Sequence, residues 1–298
     1  MSTDPREDDT AARVLLSRLT EPGDARVGAL VRAHGAPGVV ALVLDGAGEL
    51  AACRARLPAG GVAAAIEQVG ADLAQLDRLG GRILRPGTVD WPSQLDDLGP
   101  RAPLLLWQRG AANLRLTALR SVSVVGARAC TRYGETVAAE LAAGLAERGW
   151  AVVSGGAYGI DAAAHRGALA VSGSSVAVLA CGVDIAYPRG HEQLFDRLCE
   201  DGALLAEAAP GAVPYRGRFL VRNRVIAALT RGTVVVEAAI RSGSLATARA
   251  ARDLSRVVMG VPGPVTSAMS AGVHRELRDG ALLVSSVAEV IEAVGEIG

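Results

Sequence analysis

Short β-branched or apolar runs alternate with longer amphipathic segments through the second half of the chain, and this alternation restricts the fold more than any other feature. Six runs between residues 121 and 261 predict strands, at 122–125, 151–154, 176–179, 204–206, 234–237 and 257–261. The segments between them have helical periodicity, at 134–148, 160–171, 191–199, 222–229 and 244–254. Strands and helices in this order form right-handed βαβ units. The sequence therefore predicts an α/β fold with a doubly wound, mostly parallel sheet.

The composition agrees with this fold class. Half of the 298 residues are hydrophobic but only 3% are aromatic, so the core must consist of small aliphatic side chains. Such cores are typical of parallel sheets that helices cover on both faces.

The sequence pattern changes along the chain and divides it into three predicted regions. Residues 1–12 are acidic and aperiodic, which predicts a disordered tail. Residues 13–75 contain short helical patterns broken by glycine and proline, which predicts a small helical module of the SAM or helix-hairpin type. Residues 76–298 form the predicted sheet domain, and its first strand candidate is 104–107. The module either binds nucleic acid or serves only as a packing cap.

Positive charge is concentrated in one region although the formal net charge is zero. Nine arginines lie between residues 210 and 256 against only Glu237 and Asp253, a local excess of seven. Such an excess creates a binding field for anions. The chain has no lysine, which excludes a Walker-type phosphate lysine and a Schiff-base lysine.

Metal, cofactor and membrane binding have little support. The four cysteines and four histidines fit no metal-ligand spacing, and the glycine-rich turns do not match the dinucleotide fingerprint. We therefore expect no metal and no cofactor. Charged residues interrupt every apolar run before it reaches transmembrane length, so we expect no membrane partner and a cytoplasmic protein.

Three turns at predicted strand ends carry glycine, serine and arginine. Parallel strands place these turns at one edge of the sheet, where open α/β sheets bind ligands. Glycines allow close approach of a ligand, and the following helix N–H groups attract phosphate. The candidate residues are Gly126, Arg128 and Thr131 in the first turn, Ser154, Gly155, Gly156 and Gly159 in the second, and Arg241, Ser242, Gly243 and Ser244 in the third. Because the cations extend over more chain than one phosphate requires, the pattern favours a polyanion.

Arg222, Asn223 and Arg224 precede the apolar segment 225–229, and we expect them at the start of a helix, where an anion is attracted. Phe219 stands three residues earlier and offers an aromatic ring for stacking on a base.

Asp161, His165 and Glu237 permit two interpretations. As an acid/base set they would support hydrolysis. As structural groups, Asp161 would cap the helix after Gly159, His165 would be a hydrogen-bond partner, and Glu237 would accept bonds from backbone or arginine donors. We favour the structural interpretation, since no nucleophile motif accompanies them.

Five segments resemble the DNA-processing protein A family (DprA or Smf) of bacteria. They are VVGARACTRYG, SGGAYGIDAAAHRGAL, VLACGVDIAYP, RNRVIAALTRGTVVVEAAIRSGSLATA and VPGPV. The resemblance implies an extended Rossmann-like fold that binds single-stranded DNA at the sheet edge, forms a homodimer and helps to load the RecA recombinase, with no established catalysis. It implies phosphate-binding roles for the turn and helix residues above, with Asn223 contacting phosphate or base. The winged-helix domain that many members carry at the C-terminus is absent from the 298 residues.

Two alternatives remain open. A nucleotide or nucleoside phosphoribohydrolase on a related sheet would use Glu237 and Asp161 as its carboxylates, although the PGG-x-G-T loop of such enzymes is absent. A scaffold protein would recruit partners through the helical module and the acidic C-terminal helix.

Overall fold

Nine strands form one mixed sheet in the computed structural model, which describes residues 3–295. They are β1 (Arg82–Leu84), β2 (Leu106–Arg109), β3 (Ser121–Val125), β4 (Ala151–Ser154), β5 (Ser175–Leu179), β6 (Ala203–Ala206), β7 (Gly232–Val235), β8 (Val257–Gly260) and β9 (Leu282–Leu283). β2 pairs antiparallel with β1 on one side and with β6 on the other. All other neighbouring strands of the sheet pair parallel. The predicted α/β class with a mostly parallel sheet is confirmed.

The strand order is β1-β2-β6-β5-β4-β3-β7-β8-β9. The chain enters the parallel part at β3, runs outward through β4, β5 and β6, and then returns to place β7 against the other side of β3. β8 and β9 continue outward from β7. The connections therefore diverge between β3 and β7, and this switch point is where a doubly wound sheet opens a crevice for a ligand.

Helices cover both faces of the sheet. They are α1 (Asp9–Leu19), α2 (Ala25–Asp45), α3 (Ala51–Arg54), α4 (Gly61–Arg78), α5 (Leu114–Leu119), α6 (Arg132–Glu147), α7 (Ile160–Ala170), α8 (Glu192–Asp201), α9 (Arg216–Leu229), α10 (Leu245–Asp253), α11 (Ala271–Arg278) and α12 (Val287–Val294). One core cluster joins α6, α7 and α12 to β3, β4 and β7, and a second joins α9 and α10 to the opposite face. Aliphatic residues dominate both clusters, as the composition predicts.

The predicted start of the helix that carries Arg222 was wrong. α9 begins at Arg216, so Arg222, Asn223 and Arg224 lie in its middle and not at its N-terminus. The first turn has no side-chain cap at Tyr215 and includes Gly217, so the usual signals of a helix start are missing from the sequence. The strand candidate at 104–107 occurs two residues later, at β2, and β1 was not predicted.

The N-terminal helices also differ from the prediction. Disorder was wrong for residues 9–12, because α1 begins at Asp9 and the Asp8 carboxylate accepts a hydrogen bond from the N–H of Ala11 at 2.8 Å. The predicted boundary between residues 75 and 76 lies inside α4. The first two residues of the predicted tail and the last three of the predicted sheet domain lie outside the described residues.

The helical module shares a core with the sheet. Buried residues of α1, α2 and α4, such as Leu16, Val39 and Val69, belong to the same cluster as Trp107 and Leu204 on β2 and β6. Within the described chain, α2 is the one helix long and apolar enough to cross a membrane, which corrects the expectation that no such segment exists. It bends at Gly35 and buries Val27, Val39 and Val43, so packing accounts for its apolar side chains.

Candidate nucleic-acid interface

A cleft of about 1090 Å³ opens at the carboxyl edge of the sheet, at the switch point between β3 and β7. The turn after β3 and the turn after β7 form two of its walls, at residues 126–129 and 239–244. Residues of α9, α10 and α11 form much of the remaining lining, together with residues outside these helices such as Ala157, Tyr187 and Met269. The topology of the sheet therefore brings together two of the three turns that the sequence singles out.

Arginine dominates the charge of this cleft. Among the described residues seven arginines and three carboxylates line it, an excess of four positive charges. Two of the carboxylates are paired, since Arg252 lies 2.6 Å from Glu276 and Arg275 lies 3.6 Å from Asp279. The third, Asp161, lies buried beneath the cleft near Arg222.

Four arginines of the lining are exposed and form no ion pair with a carboxylate of the described chain. They are Arg128, Arg216, Arg241 and Arg249. Unpaired guanidinium groups in a concave site attract phosphate, which they bind through two parallel N–H donors. The charge and shape of the cleft are therefore suited to a polyanion.

Arg128 lies over an aromatic ring in the cleft. Its guanidinium carbon is 4.6 Å from the centre of the Phe219 ring, and the Tyr187 ring is 5.6 Å from Phe219. This stack orders the Arg128 side chain through a cation–π contact.

Glu237 holds the backbone of the loop that carries Arg128. Its carboxylate accepts hydrogen bonds from the Thr131 N–H at 2.8 Å and the Thr131 hydroxyl at 2.7 Å. Its carbonyl accepts a third from the Ala127 N–H at 2.7 Å. Thr131 in turn caps α6 and does not line the cleft. These contacts agree with the structural role expected for Glu237.

The second turn lies mostly below the cleft, and of its residues 155–159 only Ala157 lines it. Gly155, Gly156 and Ser154 are buried, and the Ser154 hydroxyl donates to Val124 O. Gly159 has φ 76°, and a Cβ there would stand 2.3 Å from Ala127 O. The glycines of this turn therefore allow it to pack against the first turn.

Arg222 and Asp161 fix the second turn from below. Arg222 Nη1 donates to Gly155 O at 2.9 Å and also to Val178 O. Asp161 accepts hydrogen bonds from the Gly155 and Ala157 N–H groups. Burial raises the pKa of Asp161, which Arg222 opposes, and burial lowers the pKa of Arg222 to about 10. Arg222 therefore stays charged at neutral pH.

His165 forms its hydrogen bond with Ser175 and not with Asp161. Its Nδ1 lies 2.8 Å from the Ser175 hydroxyl, and the ring is fully buried. Burial lowers the pKa of His165 to about 3, with smaller effects of His191 and Arg222, so the ring is neutral at pH 7. The geometry is that of a structural hydrogen bond, as expected.

The third turn lines the cleft over its whole length, from Arg241 to Ser244. Asn223 Nδ2 donates to Gly243 O at 3.1 Å and so ties this turn to α9. The hydroxyls of Ser242 and Ser244 lie 2.8 Å apart. The first N–H groups of α10 donate back to this turn, with Leu245 N bonded to Ser242 O and Ala246 N bonded to Gly243 O.

Arg224 lies on another side of α9 and does not line the cleft. Its two terminal nitrogens donate to the Glu207 carboxylate, both at 2.6 Å, and Nε donates to Arg101 O at 2.9 Å. Both side chains are buried. The residue that we expected to bind an anion is thus neutralised by a carboxylate of the protein.

Several lining residues were not among the sequence-predicted site residues. They are Arg216, Arg249, Arg252, Arg275, Tyr187 and Tyr215. The local arginine excess includes the first three, but only the packing of α9, α10 and α11 shows which side chains face the cleft.

The fold and the cleft together define a Rossmann-type α/β protein with an arginine-lined cleft at its topological switch point. The family model described as DNA recombination-mediator protein A matches residues 82–295, and the chain belongs to this family. The predicted family is therefore confirmed.

Several bacterial proteins are similar to most of the chain. A putative DNA processing protein DprA of Mycobacterium tuberculosis is 49% identical, over 98% of this chain and 77% of that protein. The solved structure of DprA from Streptococcus pneumoniae has a TM-score of 0.80 at 30% identity and covers 97% of this chain and 99% of its own. The structure of DprA from Helicobacter pylori has a TM-score of 0.64 at 28% identity and covers 71% and 94%. That structure is described as giving insight into a unique single-stranded DNA binding mode.

Proposed function

We propose that this protein binds single-stranded DNA along the cleft between β3 and β7. The observation that carries the proposal is the set of four exposed arginines of the lining that have no carboxylate partner in the described chain. They surround a cleft of about 1090 Å³, which is much larger than one phosphate requires. The single-stranded DNA binding mode described for the Helicobacter pylori protein supports the same substrate.

We further propose that the protein acts in the cytoplasm as a homodimer that helps to load a RecA-type recombinase onto the bound strand. The description of the family as recombination mediators supports this role. Bound DNA would present its bases to the recombinase, because the cations of the cleft engage phosphates.

The burial and the hydrogen bonds of the two candidate carboxylates favour a binding role over hydrolysis. Asp161 and Glu237 are buried, and both accept backbone N–H donors that fix neighbouring turns. Both oxygens of Glu237 accept hydrogen bonds from Thr131, and Asp161 Oδ2 accepts two backbone N–H groups, which supports structural roles over an acid/base pair.

The substrate is tested by comparing affinity for a single-stranded oligonucleotide with affinity for its duplex, at about 50 and about 200 mM salt. We expect tighter binding to the single strand and a steep loss of affinity with salt, since phosphate contacts release counterions. Equal, weak binding to both forms would contradict the proposal.

The position of the site is tested by Arg128→Ala. Loss of one phosphate contact should weaken binding to all sequences and reduce the salt slope by about 1. Arg148→Ala is the matched control, because Arg148 is an exposed arginine at the far end of α6 and outside the cleft lining. If both variants bind like the wild type, the cleft is not the DNA site.

A further inference from the structure

Tyr215 stands at the rim of the cleft, one residue before α9 begins. Its surface is 46% exposed although its hydroxyl is hydrogen-bonded. A large aromatic ring that is exposed and held at one end has lost part of its conformational freedom before any ligand arrives. Tyr215 therefore has the properties of a preorganised contact residue.

The partner of the hydroxyl belongs to the helical module and not to the sheet domain. Tyr215 donates to Glu21 Oε2 at 2.7 Å, and Arg218 Nε donates to the same oxygen at 3.2 Å. Arg56 lies 3.1 Å from the other oxygen of Glu21. Burial acts to raise the pKa of Glu21, but the Tyr215 hydroxyl and the two arginines lower it, so the carboxylate is charged at neutral pH.

The module is itself tied to the segment that leads into Tyr215. Arg18 on α1 binds the buried carboxylate of Asp72 on α4 and also donates to Pro210 O at 2.8 Å. Gln75 on α4 donates to Asp184 at 2.8 Å, and Asp184 accepts the N–H of Gly211. The position of Glu21 relative to Tyr215 is therefore fixed, because hydrogen bonds join the module to Pro210 and Asp184 of the sheet domain.

Contacts with the first turn of α9 also fix the position of the Tyr215 ring. A Cβ at Gly217 would stand 2.7 Å from Tyr215 Cε2, so only glycine leaves room for the ring there. The Arg218 guanidinium carbon is 5.0 Å from the ring centre. One hydrogen bond, one cation–π contact and one glycine thus determine where the ring lies.

We propose that Tyr215 is a base-stacking residue at the rim of the cleft and that Glu21 of the helical module positions it. The proposal rests on single-stranded DNA as the ligand of the cleft. Arginines engage the phosphates, and aromatic rings stack on bases whatever their identity. The helical module then contributes to DNA binding through one carboxylate, without contacting the DNA.

The stacking role is tested with two probes of equal length, an oligothymidylate and an abasic oligonucleotide with the same phosphates. Tyr215→Ala should weaken binding to oligothymidylate about tenfold, within the range of base–aromatic stacking, and leave the salt slope unchanged. Binding to the abasic probe should not change. Tyr133→Ala is the control, since Tyr133 is exposed, donates its hydroxyl to Pro262 O and does not line the cleft.

The positioning role is tested with Tyr215→Phe, Glu21→Ala and the double variant. Each single change removes the same hydrogen bond but keeps a ring, so each should weaken oligothymidylate binding about threefold, and the double variant no further. Glu21→Gln keeps an acceptor for the hydroxyl and should restore most of the affinity. Asp196→Ala is the control for removal of an ion-paired carboxylate on the surface.

Three outcomes decide between the proposals. If Tyr215→Ala binds oligothymidylate like the wild type while Arg128→Ala does not, the stacking inference fails and the proposed function stands. If Tyr215→Ala loses affinity but Glu21→Ala does not, the positioning role of Glu21 is refuted. If the wild type shows no preference for single strands, the proposed function itself fails.

Discussion

Arg224 is the residue whose expected role the structure changes most. Arg224→Ala would leave the Glu207 carboxylate buried without its partner, and breaking a buried pair from one side costs about 3–5 kcal/mol of unfolding free energy. We expect this loss in denaturant unfolding. If the variant still folds, its affinity for single-stranded DNA should match that of the wild type.

Arg256→Ala is the matched control for Arg224. Arg256 lies 2.6 Å from Asp97 in an ion pair whose carboxylate is exposed, and surface pairs contribute about 0–1 kcal/mol. If Arg224→Ala unfolds like this control but binds DNA poorly, then Arg224 contacts the ligand and its structural assignment is wrong.

The error at Arg224 has a geometric cause that the sequence did not reveal. Before the first turn of a helix, side chains two positions apart can both turn toward a ligand, whereas within the helix they point about 160° apart. Since α9 begins at Arg216, Arg222 faces β4 and β5 while Arg224 faces Glu207. Arginine content predicted a basic region correctly, but only the true helix start determines which arginines reach the cleft.

At the scale of elements, Gly159 joins the first two turns of the sheet edge. Gly159→Ala would place a Cβ against Ala127 O and force a left-handed backbone on alanine, which together should cost at least about 1–3 kcal/mol. The expected result is a lower free energy of unfolding and weaker DNA binding, because Arg128 lies on the displaced loop. Denaturant unfolding and a binding titration measure both effects.

Gly70→Ala is the control for this substitution. Gly70 lies within α4 with no atom within 4 Å of an added Cβ, so alanine should stabilise the helix by about 1 kcal/mol. If Gly159→Ala is as stable as this control, the close approach of the two turns is not maintained in solution.

Most elements could be predicted because their periodicity is local. Buried strands such as β3 and β7 are short runs rich in valine, and α6 has a clear apolar face. The three-residue β1 carries too few residues for a pattern. α1 was missed at its start because acidic residues before it resemble a disordered tail, although Asp8 caps the helix.

At the scale of the whole molecule, the location of the cleft could be predicted from the order of strands and helices, whereas the residues that line it could not. Alternating elements imply a switch point at the carboxyl edge, and the turns beginning at Gly126 and Arg241 meet there. The turn beginning at Ser154 belongs to the same edge but is covered by Arg222 and Asp161. Side chains from elements distant in the sequence decide whether a turn is accessible to a ligand. A local sequence pattern contains no information about those side chains.

The free energy of unfolding should decrease as the pH falls, because His165 titrates at a lower pH in the folded protein than in the unfolded chain. Burial lowers the pKa of this histidine from 6.5 to about 3. Between these values the unfolded chain binds a proton that the folded protein does not, so unfolding becomes easier as the pH falls, by about 1.4 kcal/mol per pH unit from this one group. Above pH 6.5 the ring is neutral in both states, and the contribution does not change.

His165→Asn should remove this contribution while it keeps a polar group near Ser175. Urea unfolding of wild type and variant at several pH values between about 7 and 4 measures the difference, and carboxylates that titrate in both proteins cancel from it. The exposed His34→Asn is the control and should keep the wild-type pH dependence. Equal pH dependence of the wild type and His165→Asn would mean that His165 is protonated in the folded protein, which requires the ring to be accessible to water.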